Sequence, residues 1–366
     1  MTKKLRVGIA GHGLVGQRRH QYIEKHPAME VVAVSDVKFP EMRGLDNGIA
    51  SFNDFRLLID EVELDVLFVC LPNEVAPVAT MAGLEKQCHV FCEKPPGRDL
   101  SDIRGVQEVE AKYPHLRLKY GFNHRYHDSV RDALELIQER RFGAVVNMRG
   151  VYGKSVLTPK LPGVDDINDP LYWRAHRASA GGGILLDQGI HLVDLMRCCA
   201  GEFVDVKSFV SNDFWNQDVE DNAYAMMRTK AGVVAMLHSS ATQWRHKFSL
   251  EITMEKGAAI LSGILSSTKS YGQETLTIAY RDDEAGGNPR ETTTSYIHDN
   301  SWRDEINDFA ECILEDKPVS GFVVAGDLSK MFQDLVLAND TPSLPSTRHG
   351  LAAPTTLINK VKIAGK

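Results

Sequence analysis

The stretch Val7-Gly8-Ile9-Ala10-Gly11-His12-Gly13-Leu14-Val15-Gly16 limits what this chain can fold into more than any other. A short apolar run, Leu5 to Ala10, has strand length and opens directly into Gly-x-Gly-x-x-Gly at Gly11, Gly13 and Gly16. A helix-compatible stretch, Gln17 to His26, stops at Pro27. A second apolar run, Val31 to Val34, then ends in Asp36, 20 positions after Gly16. Strand, glycine turn, helix, strand and acid in that order form the pattern of a dinucleotide-binding unit. Gly11 is expected to make the tight turn, Gly13 to let a pyrophosphate approach the backbone, and Gly16 to let helix and strand pack closely. The free N–H groups and positive end of the helix, reached through His12, Leu14 and Val15, would then hold the phosphates. A glycine-rich turn without a ligand would need neither the helix nor the acid.

Asp36 indicates which dinucleotide. A carboxylate at the end of the second strand accepts hydrogen bonds from the adenosine ribose hydroxyls and repels a 2′-phosphate, so NAD is favoured over NADP. Lys38, two residues on, softens that preference.

With 366 residues, 43% hydrophobic and 25% charged, the chain suits two globular domains. Its net charge of −7 and lack of a basic block argue against nucleic acid as a partner. No apolar run approaches the roughly 20 residues that span a bilayer. Met1-Thr2-Lys3-Lys4 runs straight into the first strand, leaving no room for a signal peptide. The six cysteines (70, 88, 92, 198, 199 and 312) form no Cys-x-x-Cys pair, and a reducing cytoplasm is the expected setting.

Strand and helix alternate up to about residue 123, the mark of a doubly wound parallel sheet. Asp65 to Leu71 reads as a strand buried on both faces. Helix-compatible Pro77 to Lys86 leads to strand His89 to Cys92, and Arg117 to Tyr120 returns as a strand. Beyond a helix at Ser129 to Arg141, long strands joined by tight turns follow: Ala144 to Tyr152, Val204 to Phe214, Tyr224 to Arg228 with Val233 to Ser239, and Phe248 to Met254 with Ala258 to Ser262. Lys230-Ala-Gly232 and Glu255-Lys-Gly257 are expected hairpin turns. The reading is therefore α/β: an N-terminal Rossmann domain (1–123), a second α/β domain with a large, mostly antiparallel sheet (124–340) and a surface tail (341–366). Residues 153–182, rich in Pro, Gly and Asp, predict no regular element, and a loop of that length is usually a lid or binding loop. A last helix is expected at Ser301 to Glu315.

Ligands of open parallel sheets sit beyond the carboxyl ends of the strands. Leu71-Pro72-Asn73 and Glu93-Lys94-Pro95 lie at two such ends, within reach of the nicotinamide half of a dinucleotide, and Lys94 thereby faces a substrate. In Gly181-Gly-Gly-Ile-Leu-Leu-Asp187-Gln-Gly-Ile-His191-Leu-Val-Asp194, a helix would put Asp187, His191, Asp194 and Cys198 on one face. A carboxylate one turn from an imidazole fixes its tautomer and raises its basicity, as a general base near neutral pH requires. A structural Asp–His pair and a metal site are the alternatives. The metal alternative lacks a second His or a Cys at ligand spacing, so no metal is expected. Tyr172, Trp173, Arg174, His176 and Arg177 mix stacking faces with cationic forks, fit for sugars and anions; Arg174 equally suits the cofactor.

These motifs together resemble the glucose–fructose oxidoreductase/inositol dehydrogenase (Gfo/Idh/MocA) family: Gly11-x-Gly13-x-x-Gly16, Asp36, Pro72-Asn73, Glu93-Lys94-Pro95, Gly183-x-Leu185-x-Asp187-x-Gly189-x-His191-x-x-Asp194 and Lys317-Pro-Val319-Ser-Gly321. The likeness runs in register over about residues 5 to 340. It implies a Rossmann domain, a second domain whose open-faced sheet serves oligomer contacts (dimer or tetramer), and a catalytic set at Lys94, Asp187 and His191. It also implies that Pro95 follows a cis peptide. The family's histidine shortly after the Pro-Asn pair is replaced here by Val75 and Ala76. The implied activity is hydride transfer between nicotinamide and a secondary alcohol of a sugar, cyclitol or nucleotide-linked sugar. An NAD-dependent regulator and an NAD-dependent glycoside-cleaving enzyme are the alternatives within the same fold.

Overall fold

A computed structural model describes residues 3–39, 43–44, 48–158, 166, 169–212, 214–266, 269–282 and 287–319. The tail at 341–366, the end of the Lys317–Gly321 motif and most of 159–168 lie outside the described residues.

The first part runs β1 (Leu5–Ala10), α1 (Leu14–Ile23), β2 (Met29–Ser35), β3 (Arg43–Gly44), β4 (Ala50–Phe52), α2 (Phe55–Glu61), β5 (Val66–Val69), α3 (Ala76–Glu85), β6 (His89–Glu93), α4 (Leu100–Glu110) and β7 (Leu118–Gly121). Its sheet has the order β3-β4-β2-β1-β5-β6-β7, parallel throughout except for the short β3. All four residues of β5 are buried, as a continuous apolar run in a sheet covered on both faces requires. Asp54 and Asp99 start α2 and α4 by accepting backbone N–H groups of the first turn.

The second part runs α5 (Asp128–Gln138), β8 (Val145–Gly153), α6 (Arg177–Ala180), α7 (Ile190–Ala200), β9 (Phe203–Ser211), β10 (Asn222–Thr229), β11 (Val234–Ser240), β12 (Lys247–Met254), β13 (Gly257–Ser262), β14 (Glu274–Arg281), β15 (Pro289–Tyr296) and α8 (Ser301–Leu314). Its eight strands have the order β15-β14-β13-β12-β8-β11-β10-β9, and only β8 and β11 are parallel neighbours. Both expected hairpins form, β10–β11 around Gly232 and β12–β13 around Glu255-Lys256. One face of this sheet is covered. A side chain in place of Gly150 would strike Met196 and Leu192 of α7, so helix and sheet pack in contact. The opposite face is open.

Two features differ from the sequence reading. The strands β14 and β15 lie outside the sequence reading; β15 is exposed at every residue but its last and carries no alternation to detect. Within 153–182, Pro170–Ala175 forms a 3-10 turn and α6 follows, where no regular element was expected. Asp169 accepts from the Leu171 N–H at 2.8 Å, and Pro170 at the first helical position needs no partner for its nitrogen.

The last described helix returns to the first sheet. Phe309 of α8 sits edge-on to the stacked pair Phe68 and Phe91, with centroids at 6.0 and 5.5 Å, and Ile306 and Ala310 join the same buried cluster. Helix α8 thus covers, beside α1, the face that α2, α3 and α4 leave bare. Phe309→Ala should cost about 3–5 kcal/mol, read as a lower midpoint of urea unfolding, with Phe309→Leu costing much less. An unchanged midpoint would mean that α8 does not seal that face.

Candidate active site

The strand order reverses at β1, which lies between β2 and β5, and a crevice opens there beyond the strand ends. Gly11 has φ +92°, and a side chain there would sit 2.3 Å from the Cys70 carbonyl oxygen. A side chain at Gly16 would fall 1.9 Å from the Gly11 carbonyl oxygen. Nothing lies within 4 Å of the corresponding position at Gly13, so the backbone is bare on that side. Helix α1 begins there with no side-chain cap and no acid in its first turn, and its leading N–H groups remain for an anion. His12 contacts His20 at 3.0 Å. The Asp36 carboxylate, half-buried at the end of β2, accepts only from the Lys38 N–H at 3.1 Å among the described residues. A cradle bare at Gly13, an uncapped helix start and a carboxylate with capacity for two hydroxyls together fit a dinucleotide.

Next to this loop lies a cleft of about 250 Å³. The first part contributes Val15, Arg18, Leu71, Asn73, Glu93, Lys94 and Pro95 to its walls; the second contributes His124, Tyr152, Trp173, Arg174, Asp187 and His191. Lys94, at the end of β6, and Asp187 with His191, on the segment that leads into α7, meet in one place. The Lys94–Pro95 peptide is cis. Lys94 Nζ donates to the Asp187 backbone oxygen at 2.7 Å. Burial lowers the Lys94 pKa from its ordinary 10.5, against the pull of Asp187 and Glu93.

The expected pairing of Asp187 with His191 does not form. Leu185–Gly189 is a π turn leading into α7, and its extra residue breaks the four-residue spacing that would stack the two side chains. The Asp187 carboxylate turns instead to Lys154, at 2.8 Å at the end of β8, with Arg174 3.6 Å away. Burial disfavours its charge, but Lys154, Lys94 and Arg174 outweigh that and hold it well below the usual carboxylate range. Asp194 does not join His191 either. It forms a part-buried ion pair with Arg125, whose Nε donates to Asp194 Oδ2 at 2.7 Å.

His191 is buried at the cleft wall, and its Nδ1 has no hydrogen-bond partner. Burial, with Lys94 and His127 nearby, holds its pKa well below 6.5, so the ring is neutral across the physiological range. Among the described residues no three His, Cys, Asp or Glu side chains gather as for a metal ion.

Other expected cofactor contacts are partly engaged. Asn73 donates its amide to the Ala180 oxygen at 2.8 Å, leaving its own carbonyl for a ligand. Glu93 is drawn inward by the buried Arg19, at 2.6 Å. Arg174 stacks on Trp173, 4.2 Å from ring centroid to guanidinium carbon. Sequence reasoning did not single out His124, Lys154, Arg18 or Arg19. The first two lie just past strand ends, β7 and β8, and that placement was the available signal.

Two family models match this chain. One, described as an oxidoreductase family with an NAD-binding Rossmann fold, covers residues 5–122; the other, the GFO/IDH/MocA C-terminal domain, covers 130–260. Levoglucosan dehydrogenase of Pseudarthrobacter phenanthrenivorans is 27% identical over 223 residues, 57% of this chain and 54% of that relative, so the match spans about half its length. Myo-inositol 2-dehydrogenase of Thermotoga maritima is 24% identical over 273 residues, 72% of this chain and 77% of the relative. Among solved structures, levoglucosan dehydrogenase in complex with NADH has a TM-score of 0.76 at 21% identity, covering 92% of this chain and 97% of the other, a likeness of fold. The expected Rossmann domain, the second sheet domain and NAD as cofactor are borne out.

Titrated by fluorescence, the protein should bind NADH more tightly than NADPH. Asp36→Ala should weaken NADH binding by about 10–100-fold, the worth of charged hydrogen bonds, and NADPH binding by less. Tighter binding of NADPH by the unaltered protein would refute the role of Asp36.

Proposed function

The chain belongs to the Gfo/Idh/MocA family of oxidoreductases, and we propose that it is an NAD-dependent dehydrogenase acting on a secondary alcohol of a sugar or cyclitol. The reading is carried by the convergence of Lys94, Asp187 and His191 on one cleft beside the glycine loop. The relatives named for levoglucosan and myo-inositol support a polyhydroxylated ring as substrate.

When bound, NAD supplies a hydride acceptor at its nicotinamide ring; the remaining work falls to the protein. His191, neutral and open to the cleft, takes the hydroxyl proton at Nε2. Lys94 spends one N–H on the Asp187 backbone and keeps two for the reacting oxygen, where they stabilise the developing negative charge. Asp187 acts on charge rather than on ring orientation: it holds Lys154 and Arg174 around the cleft and offsets part of their field. Walls from both parts of the chain exclude water and fix the ring's approach. A regulator that only binds NAD would need none of these three side chains. The absence of a disulfide at all six cysteines suits a reducing compartment such as the cytoplasm, and no described helix is long and apolar enough to cross a membrane.

Self-association belongs to the same reading. The open face of the second sheet carries Phe209 (80% exposed), Met226 (54%), Tyr224 and Met236 as adjoining cross-strand neighbours. A contiguous apolar stripe of this kind suits a two-fold contact with a second copy. Light scattering should give a dimer or tetramer, and Phe209→Asp with Met226→Asp should give a monomer. An unaltered assembly in that double variant would rule out this face.

Levoglucosan, myo-inositol and methyl β-D-glucopyranoside form the first panel, followed by NADH absorbance. A dehydrogenase forms NADH in step with product, whereas a glycoside-cleaving enzyme consumes substrate without net change. Lys94→Ala and His191→Asn should each lower kcat/KM by about 100–10,000-fold; near-normal turnover in both would refute the assignment. A base must be neutral to accept a proton, so alcohol oxidation should stay level down through pH 6.5 and fall only below it, as His191 protonates. It should fall again on the alkaline side, below 10.5, as Lys94 loses its proton. An acid limb centred above pH 6.5 would exclude His191 as the base.

A further inference from the structure

His191 lacks the hydrogen-bonded carboxylate that usually orients a catalytic imidazole, yet a base must present its nitrogen along one direction. The contact that replaces it is aromatic. The His124 ring lies face to face with that of His191, centroids 3.7 Å apart and planes within 17°. Phe122 stands edge-on to His191 at 6.0 Å. We propose that His124 is the positioning residue of this site, setting the plane of the His191 ring through its flat face. This rests on His191 as the proton acceptor.

Three further observations support it. First, His124 is itself fixed at both nitrogens. Its Nδ1 donates to Asn123 Oδ1 at 3.2 Å, an atom that can only accept, so Nε2 accepts from the Tyr152 hydroxyl at 3.1 Å. Tyr152 is in turn hydrogen-bonded to Tyr271, which accepts from Gln188 Nε2 at 2.9 Å. Second, the two backbones carrying the rings are clamped together. Arg125, next to His124, pairs with Asp194, three residues after His191, the guanidinium partly and the carboxylate fully buried. The stack is therefore held from both sides. Third, His124 stays uncharged. Burial, with His191, His127 and Lys94 nearby, keeps its pKa well below 6.5. A neutral ring lets His191 take its proton without a second cation stacked against it, which would repel the new charge.

The groups facing His191 are thus Lys94 after β6, His124 and His127 at the turn after β7, and Tyr152 on β8. On its own segment the Asp187 carboxylate is turned away. None of them hydrogen-bonds Nδ1. Without the stack, nothing in this set would fix the ring plane.

The test uses the full-length protein with histidines labelled at Cε1, titrated by NMR without substrate, as wild type, His124→Ala and His124→Phe. His124→Ala opens space for water beside His191, so its resonance should titrate at higher pH, nearer the ordinary value. His124→Phe keeps a flat face and should leave His191 titrating as in wild type. An unmoved His191 in the alanine variant, or an equal displacement in both, would overturn the proposal. Because no substrate is present, a failed alcohol panel would sink the proposed activity and leave this result standing.

Where myo-inositol or levoglucosan is turned over, His124→Ala should lower kcat by about 10–100-fold, the scale of a small misplacement, with KM within about twofold. Combined with His191→Asn it should add no further loss. Additive losses would also overturn the proposal. Should the alanine variant fail to fold, His124→Leu takes its place, similar in bulk but without a flat face. A kcat below that of His124→Phe supports the stack, and equality refutes it.

Discussion

The carboxylate of Asp187 is the point on which the site closes. Its backbone oxygen takes Lys94 from the first sheet, while its side chain takes Lys154 from β8 and draws Arg174 from the 3-10 turn at Pro170–Ala175. Taking a carboxylate out of water costs several kcal/mol, and only close partners recover it. Here three cations surround one anion, so the cluster keeps a net positive charge after Asp187 is counted. Removing that carboxylate would do more than delete a pair. It would leave Lys94 and Lys154 facing each other in a poorly solvated space, where like charges repel strongly. The positive field is also one in which a hydroxyl oxygen gains negative charge easily, as alcohol oxidation requires.

This charge arrangement and the aromatic stack solve different parts of one problem. A carboxylate bonded to an imidazole orients it and raises its pKa together. In this chain the two effects are separated. The cations take Asp187, His191 keeps a low pKa through burial and Lys94, and ring orientation passes to the packed face of His124. The π turn at Leu185–Gly189 makes the separation possible. One extra residue per turn swings Asp187 away from the face that α7 presents and toward β8. Such a turn needs backbone room, and Gly183 supplies it: a side chain there would lie 2.0 Å from the Glu220 carbonyl oxygen.

What could be read from sequence follows from how local each signal is. The glycine turn, the buried run at β5 and the hairpin at Gly232 are each specified by a few neighbouring residues, and all formed. The meeting of Lys94, Asp187 and His191 was legible as well, Lys94 from its place at a strand end and the set of three from the family resemblance. The partner of Asp187 was not. An i, i+4 spacing presumes regular α geometry, and no short-range signal announces a π turn. Lys154 reaches Asp187 across 33 positions and His124 reaches His191 across 67. Such pairs exist only once β8 and the turn after β7 lie against α7. The exposed strand β15 failed for the opposite reason: it buries no face against a core, so no alternation marks its residues.

The same dependence on distant partners explains why α8 belongs with the cofactor half although it follows the second sheet. Arg19 of α1 is fully buried between Glu93 at 2.6 Å and Glu305 of α8 at 2.7 Å, and its guanidinium lies 4.4 Å from Phe91 and 4.3 Å from Trp302. A buried guanidinium needs compensation on every side. Glu93, which precedes Lys94, therefore cannot turn freely into the cleft. Burial drives the Glu305 carboxyl up to about 7, with Arg19 pulling it down and Glu93 pushing it up. The last described helix in this way fixes the residue before Lys94, and the geometry at that lysine depends on a side chain more than 200 positions further along the chain.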